Sequence, residues 1–95
     1  MAELSPRLTN RIRHDFEAGI AETVIGYLAS LDRESFGGQG SERVQAAIVL
    51  ASHGQWERFI SLWRLLKLDW RDVLVAGGLA DADWPARLES ELPGY

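Results

Sequence analysis

Apolar residues recur three and four positions apart along nearly the whole chain, which is the spacing of one face of an α-helix. Leu4, Leu8, Ile12 and Phe16 follow one another at i+4, behind a Ser5-Pro6 pair that reads as a hydroxyl cap and a first-turn proline. Ile20, Val24, Tyr27, Leu28 and Leu31 make the next stripe. Asp15 is placed to cap it, and Gly19 argues against one helix running straight through. These stripes predict two helices, over 6–14 and 17–31. Asp32 to Gly40 then breaks the pattern with Gly37, Gly38 and Gly40 among polar neighbours. Residues 33–40 are therefore expected to form a flexible loop.

Beyond that loop the helical period resumes. Ser41 and Glu42 suit a helix start, Val44, Ala47, Ile48 and Ala51 form an apolar face, and His53-Gly54 reads as a C-terminal stop. A fourth helix carries Trp56, Phe59, Ile60, Trp63 and Leu66 inward. Asp69 caps a fifth, through Trp70, Val73 and Leu74, which Gly77-Gly78 ends. Asp81 or Asp83 caps a sixth, with Pro85 in its first turn and Leu88 and Leu92 inward. No segment alternates with period two. The expectation is a single all-α domain over 1–95, an orthogonal or up-down bundle of five to six short helices. Its core should hold Leu8, Ile12, Val24, Leu28, Val44, Ile48, Phe59, Ile60, Trp63, Val73, Leu74 and Leu88.

The tryptophans sharpen this picture. Trp56, Trp63 and Trp70 are seven residues apart and Trp84 follows after fourteen more. Seven residues is nearly two helical turns, a drift of about 20° per step. On one helix, or on two bent at Leu68-Asp69, the rings would share a face. Trp63 and Trp70 are expected in the core, with Trp56 or Trp84 nearer the surface, where an indole N–H finds partners.

Composition changes the picture in only a few ways. The chain has 95 residues, 46% of them apolar and 25% charged, an ordinary balance for a domain with its own core. It has no cysteine, so disulfides and thiolate chemistry are excluded. No apolar run reaches the ~18–20 residues of a membrane span. The charges at Glu3, Arg7, Arg11 and Arg13 do not suit a signal peptide, so a cytoplasmic location is expected. Net charge is −4, which disfavours general nucleic-acid binding. That charge is uneven: residues 55–71 hold Arg58, Arg64, Lys67 and Arg71 against Glu57 and Asp69, whereas residues 72–95 hold Arg87 against Asp72, Asp81, Asp83, Glu89 and Glu91.

From Glu42 to Leu92 the chain resembles a group of small bacterial proteins that are helical throughout and have no assigned activity. The residues carrying the resemblance are Glu42-Arg43-Val44-Gln45-Ala46-Ala47, the run from Asp69 to Ala80, and Asp83-Trp84-Pro85. The resemblance implies a bacterial origin and no site.

Candidate chemistry is sparse. His53 and Glu57 stand four apart, a ligand-compatible spacing that Gly54 interrupts, and His14 lies in a charged cluster beside Arg13 and Asp15. The pairs Glu17/Glu22, Asp81/Asp83 and Glu89/Glu91 match no metal motif. Gly37-Gly38-Gln39-Gly40-Ser41 lacks the lysine and preceding strand of a phosphate loop. The Ala76-Gly77-Gly78-Leu79 turn resembles a helix-turn-helix joint, but the helix after it is acidic, which suits no major groove. No catalytic, cofactor or metal residue is assigned. Arg64, Lys67 and Arg71 would share one face if their helix ran past Asp69. With Trp56 and Trp84 they form the candidate interaction surface. The sequence thus reads as a non-enzymatic protein-binding module, regulatory or adaptor in kind, without cofactor, as a monomer or weak homodimer. Two alternatives stand beside it: a nucleic-acid-binding regulator using Arg58–Arg71, and a small-molecule binder with a tryptophan-lined pocket.

Overall fold

The computed structural model describes residues 4–31 and 41–92. The loop expected over 33–40 and the side chain of the expected Ser41 cap lie outside the described residues. Six helices follow in order: α1 (Pro6–Asp15), α2 (Ala18–Ala29), α3 (Ser41–Ser52), α4 (Trp56–Leu68), α5 (Trp70–Ala76) and α6 (Trp84–Glu91). Helix covers 77% of the described residues, and none of them lies in a strand. The all-α expectation holds. None of these helices is long and apolar enough to cross a membrane.

α3 occupies the centre. It packs against α1, α4 and α5, while α1 pairs with α2 and α4 with α5. Val44, Gln45, Ala46, Ala47, Ile48 and Val49 are six successive residues with no exposed surface. A helix buried on every side is apolar nearly all round, with Gln45 the polar exception in this run, and the small side chains of this one let neighbours come close. The apolar face read from the sequence is therefore only part of what α3 buries. Leu8 and Ile12 of α1, Val24 and Leu28 of α2, Phe59 and Leu66 of α4, Val73 and Leu74 of α5, and Leu88 of α6 converge on it as one core. Ile60 and Trp63, expected fully inside, are half-buried at its margin.

A glycine makes one close approach to α3. A Cβ on Gly77 would stand 2.4 Å from the Ala47 carbonyl oxygen and 2.5 Å from its Cα. Read from the sequence, Gly77 and Gly78 together end α5. Gly78 does that, with φ of 74°, whereas Gly77 has an ordinary φ of −85° and serves contact with α3. The turn after α3 is built on positive φ as well, at His53 (50°) and Gly54 (74°). A Cβ on Gly54 would lie 2.4 Å from the Asp15 carbonyl oxygen, so this turn sits directly on the end of α1.

Caps set the remaining boundaries. Ser5 Oγ accepts from the Leu8 amide at 3.3 Å, and Asp69 Oδ1 from the Arg71 amide at 3.1 Å. Asp15 does not cap α2, as the sequence suggested. It closes α1, where Arg11 holds its carboxylate at 2.9 Å, and Glu17 takes the capping position without a side-chain bond. Asp69, in an extended conformation with φ of −155°, separates α4 from α5. The tryptophan series is broken there: Trp56 and Trp63 share α4, Trp70 opens α5 and Trp84 opens α6.

Two stability measurements check this packing. Gly77→Ala should lower the unfolding free energy by at least about 2 kcal/mol, because backbone must move to admit the methyl. Gly26→Ala, in the interior of α2 with nothing within 4 Å of its Cβ position, should raise it by about 0.5–1 kcal/mol. The second measurement concerns Gln45, fully buried with neither amide atom hydrogen-bonded. An unsatisfied buried amide costs about 1–3 kcal/mol. Gln45→Met, similar in length and without that cost, should raise the melting temperature by several degrees.

Candidate functional site

The five residues of the candidate interaction surface do not form one patch. Trp56, at the start of α4, stacks on Phe59 with ring centroids 5.6 Å apart and meets Tyr27 at 5.8 Å. Phe59 in turn stacks on Trp63 at 6.1 Å, and Tyr27 closes on Trp63 at 5.1 Å. This aromatic cluster fastens α2 to α4. Trp84 belongs to another contact: the Arg43 guanidinium lies 4.6 Å from its ring centroid while Arg43 Nε donates to the Leu79 carbonyl at 2.9 Å. Trp56 stands eleven residues before Lys67 on α4, a rise of roughly 16 Å.

The basic trio falls on both sides of Asp69. Arg64 and Lys67 ride on α4, and Arg71 on α5, so the continuous stripe expected from the sequence is interrupted where the backbone extends. Lys67 Nζ lies 5.1 Å from the Trp63 ring, the Arg71 guanidinium 5.7 Å from the Trp70 ring, and Arg71 Nε 3.6 Å from Asp69 Oδ1. Arg64 has no hydrogen-bond or ion-pair partner among the described residues. The helical period also places Leu68 four residues after Arg64, and Val75 four after Arg71, each pair on one helix face. Leu68 is 84% exposed and Val75 67%. The sequence reading passed over both. Leu68 was legible as an apolar residue out of phase with the buried α4 stripe.

Among the described residues, Asp69 is the one carboxylate that approaches this basic trio. Glu89 and Glu91 reach α1 instead, with Arg7 Nη1–Glu89 Oε1 at 3.8 Å and Arg11 Nη1–Glu91 Oε2 at 3.5 Å, and Arg11 also donates to the Glu91 carbonyl at 2.6 Å. Arg7 has a second and better partner in Glu42, held by two guanidinium bonds at 2.9 and 2.6 Å, and Ser5 donates to the same carboxylate. This latch ties α1 to α3. The Arg7 guanidinium holds the Glu42 carboxyl below its ordinary range, against a smaller opposing effect of burial.

Two open clefts adjoin at the His53 turn. One, about 390 Å³, is lined by His53, Glu57, Arg58, Ser61 and apolar neighbours from α3, α4 and α5. The other, about 430 Å³, is lined by His53, Arg11, Arg87 and Glu91 with the backbone of Gly77 and Gly78. Histidine, glutamate and serine in one cleft invite a nucleophile reading, which requires hydrogen bonds relaying a proton between them. His53, Glu57 and Ser61 make none to one another. Among the described residues, no three His, Asp or Glu side chains gather as a metal site. A third groove, about 340 Å³, runs between Glu17, Gly19, Ile20, Thr23 and Trp56, the one tryptophan lining any of the three. No family model, curated protein or solved structure matches the chain.

The Glu42 latch has a pH signature. Its folded-state pKa lies below the unfolded value of 4.5, so the stability it contributes is complete above that value and is lost as pH falls through the lowered one. Glu42→Gln should cost about 1–2 kcal/mol at pH 7, allowing for a pair that solvent partly screens. The difference from the unmodified chain should shrink steadily below pH 4.5 in denaturant titrations.

Proposed function

We propose that this chain is a small non-enzymatic protein-binding module of the bacterial cytoplasm, regulatory or adaptor in kind, which docks its partner on the corner between α4 and α5. The observation that carries this reading is the exposure of Leu68 and Val75 beside Arg64, Lys67 and Arg71. One guanidinium, Arg71, and one ammonium, Lys67, lie over indoles beside these exposed aliphatic side chains, and Arg and Trp are residue types enriched in binding hot spots. Trp70 and Trp63, half-buried beneath Arg71 and Lys67, supply a firm floor. The partner that fits is a protein offering an apolar pocket rimmed by carboxylates. The stripe interrupted at Asp69 gives less to a phosphate backbone, which rewards a continuous run of cations.

The test uses immobilised full-length chain and an extract of its source organism, with retained proteins quantified by mass spectrometry. A specific partner should be acidic, and its retention should fall at least tenfold with Leu68→Asp and with Arg71→Glu, as for hot-spot residues. Both variants should keep the helical circular dichroism of the parent, since both side chains are exposed. Equal retention by the variants would remove the α4–α5 corner as the docking surface. Retention of nucleic acid that fell steeply with salt would favour the nucleic-acid reading instead.

A further inference from the structure

Most cations of α1 are matched to carboxylates: Arg7 to Glu42 and Glu89, Arg11 to Asp15 and Glu91, Arg13 to Glu22. Arg87 of α6 is not. Its guanidinium has neither a hydrogen bond nor an ion pair among the described residues, and it lies beside the Gly77–Gly78 turn. A Cβ on Gly78 would stand 3.2, 3.5 and 3.6 Å from its Nη2, Cζ and Nε. Three atoms of a planar group at nearly equal distance from one point mean that the plane faces that point. The N–H bonds lie in that plane and so do not point at the Gly77–Gly78 turn, and Arg87 is among the residues lining the 430 Å³ cleft beside it.

We propose that this cleft binds the phosphate group of a small molecule, with Arg87 as its principal ligand. A planar fork of donors matches a phosphate edge through two parallel bonds, and a guanidinium with no internal partner has its donors available for them. Arg11 and Glu91 offset each other within the cleft, which leaves Arg87 and the donor-bearing ring of His53 to set its character. Glycines on the floor bring backbone close without side-chain bulk. Leu50, Val75 and Ala76 give an apolar wall for the organic part of the ligand, and the volume lies within the range of about 300–1,000 Å³ usual for small-molecule sites. The site shares Val75 with the proposed docking corner, but its chemistry rests on Arg87, which that corner does not use.

The probes are inorganic phosphate and glycerol 3-phosphate, titrated into isotopically labelled full-length chain at constant ionic strength and followed by amide NMR. Saturable shifts should centre on His53, Gly77 and Gly78 for both. Tighter binding of the ester would show that the apolar wall is used, and binding of equal strength would assign the site to free phosphate. Arg87→Gln should weaken either interaction at least tenfold, whereas Arg64→Gln should leave it unchanged. Circular dichroism of Arg87→Gln should match the parent, because the side chain is exposed and supports no internal bond. Identical shifts with chloride, or phosphate affinity unaltered in Arg87→Gln, would overturn the proposal. Neither result bears on whether Leu68 and Arg71 dock a protein.

Discussion

Everything in this fold is arranged around the enclosure of one helix. α3 offers solvent almost nothing from Val44 to Val49, and neighbours from both halves of the chain surround it. Enclosure on that scale is possible only where the enclosed surface is small and apolar. Alanines at 46, 47 and 51 meet that requirement from within, and Gly77 meets it from outside by carrying no side chain against Ala47. The same crowding explains why Gln45 has no partner: a helix packed on every side leaves little room for one. The elements farther from α3, namely the tryptophan faces and the cationic side chains, are those left to meet solvent and ligands.

Much of this was legible in the period of the apolar residues. The stripes Leu8/Ile12, Val24/Leu28, Val44/Ile48 and Val73/Leu74 give both the helices and their buried faces, because a 3.6-residue repeat permits one inward direction at a time. Stop signals were legible for the same local reason, as at Gly54 and Gly78. Where the reading fell short, the deciding contact was remote in sequence. Nothing near Gly77 announces that Ala47 will sit against it, and nothing near Glu89 says that Arg7, rather than Lys67 or Arg71, will lie within reach. The regular tryptophan spacing misled in one respect, since it continues unchanged through Asp69 although the helix does not.

The candidate surface divides along the same line. Arg64, Lys67 and Arg71 were recognisable from charge, and they are exposed. Trp56 and Trp84 were grouped with them as the tryptophans expected nearer the surface. Their surroundings give them separate duties, one fastening α2 to α4 and the other receiving Arg43. The signals that were missed are of a different kind. The exposure of Leu68 is a matter of phase, and the lack of an ion-pair partner for Arg87 among the described residues emerges only from the folded geometry.

The attachment of α6 has a kinetic corollary. That helix contributes Leu88 to the core and Trp84 to the contact with Arg43 of α3, and it is tied to α1 by the pairs Arg7–Glu89 and Arg11–Glu91 and the bond from Arg11 to the Glu91 carbonyl. Pairs of this type weaken as salt rises, whereas the burial of α3 does not. Structures open by cooperative units whose free energies range from nearly zero to that of global unfolding. Salt therefore loosens the hold of α6 on α1 while leaving the enclosure of α3 intact, so the two helices differ in how far their opening depends on ionic strength.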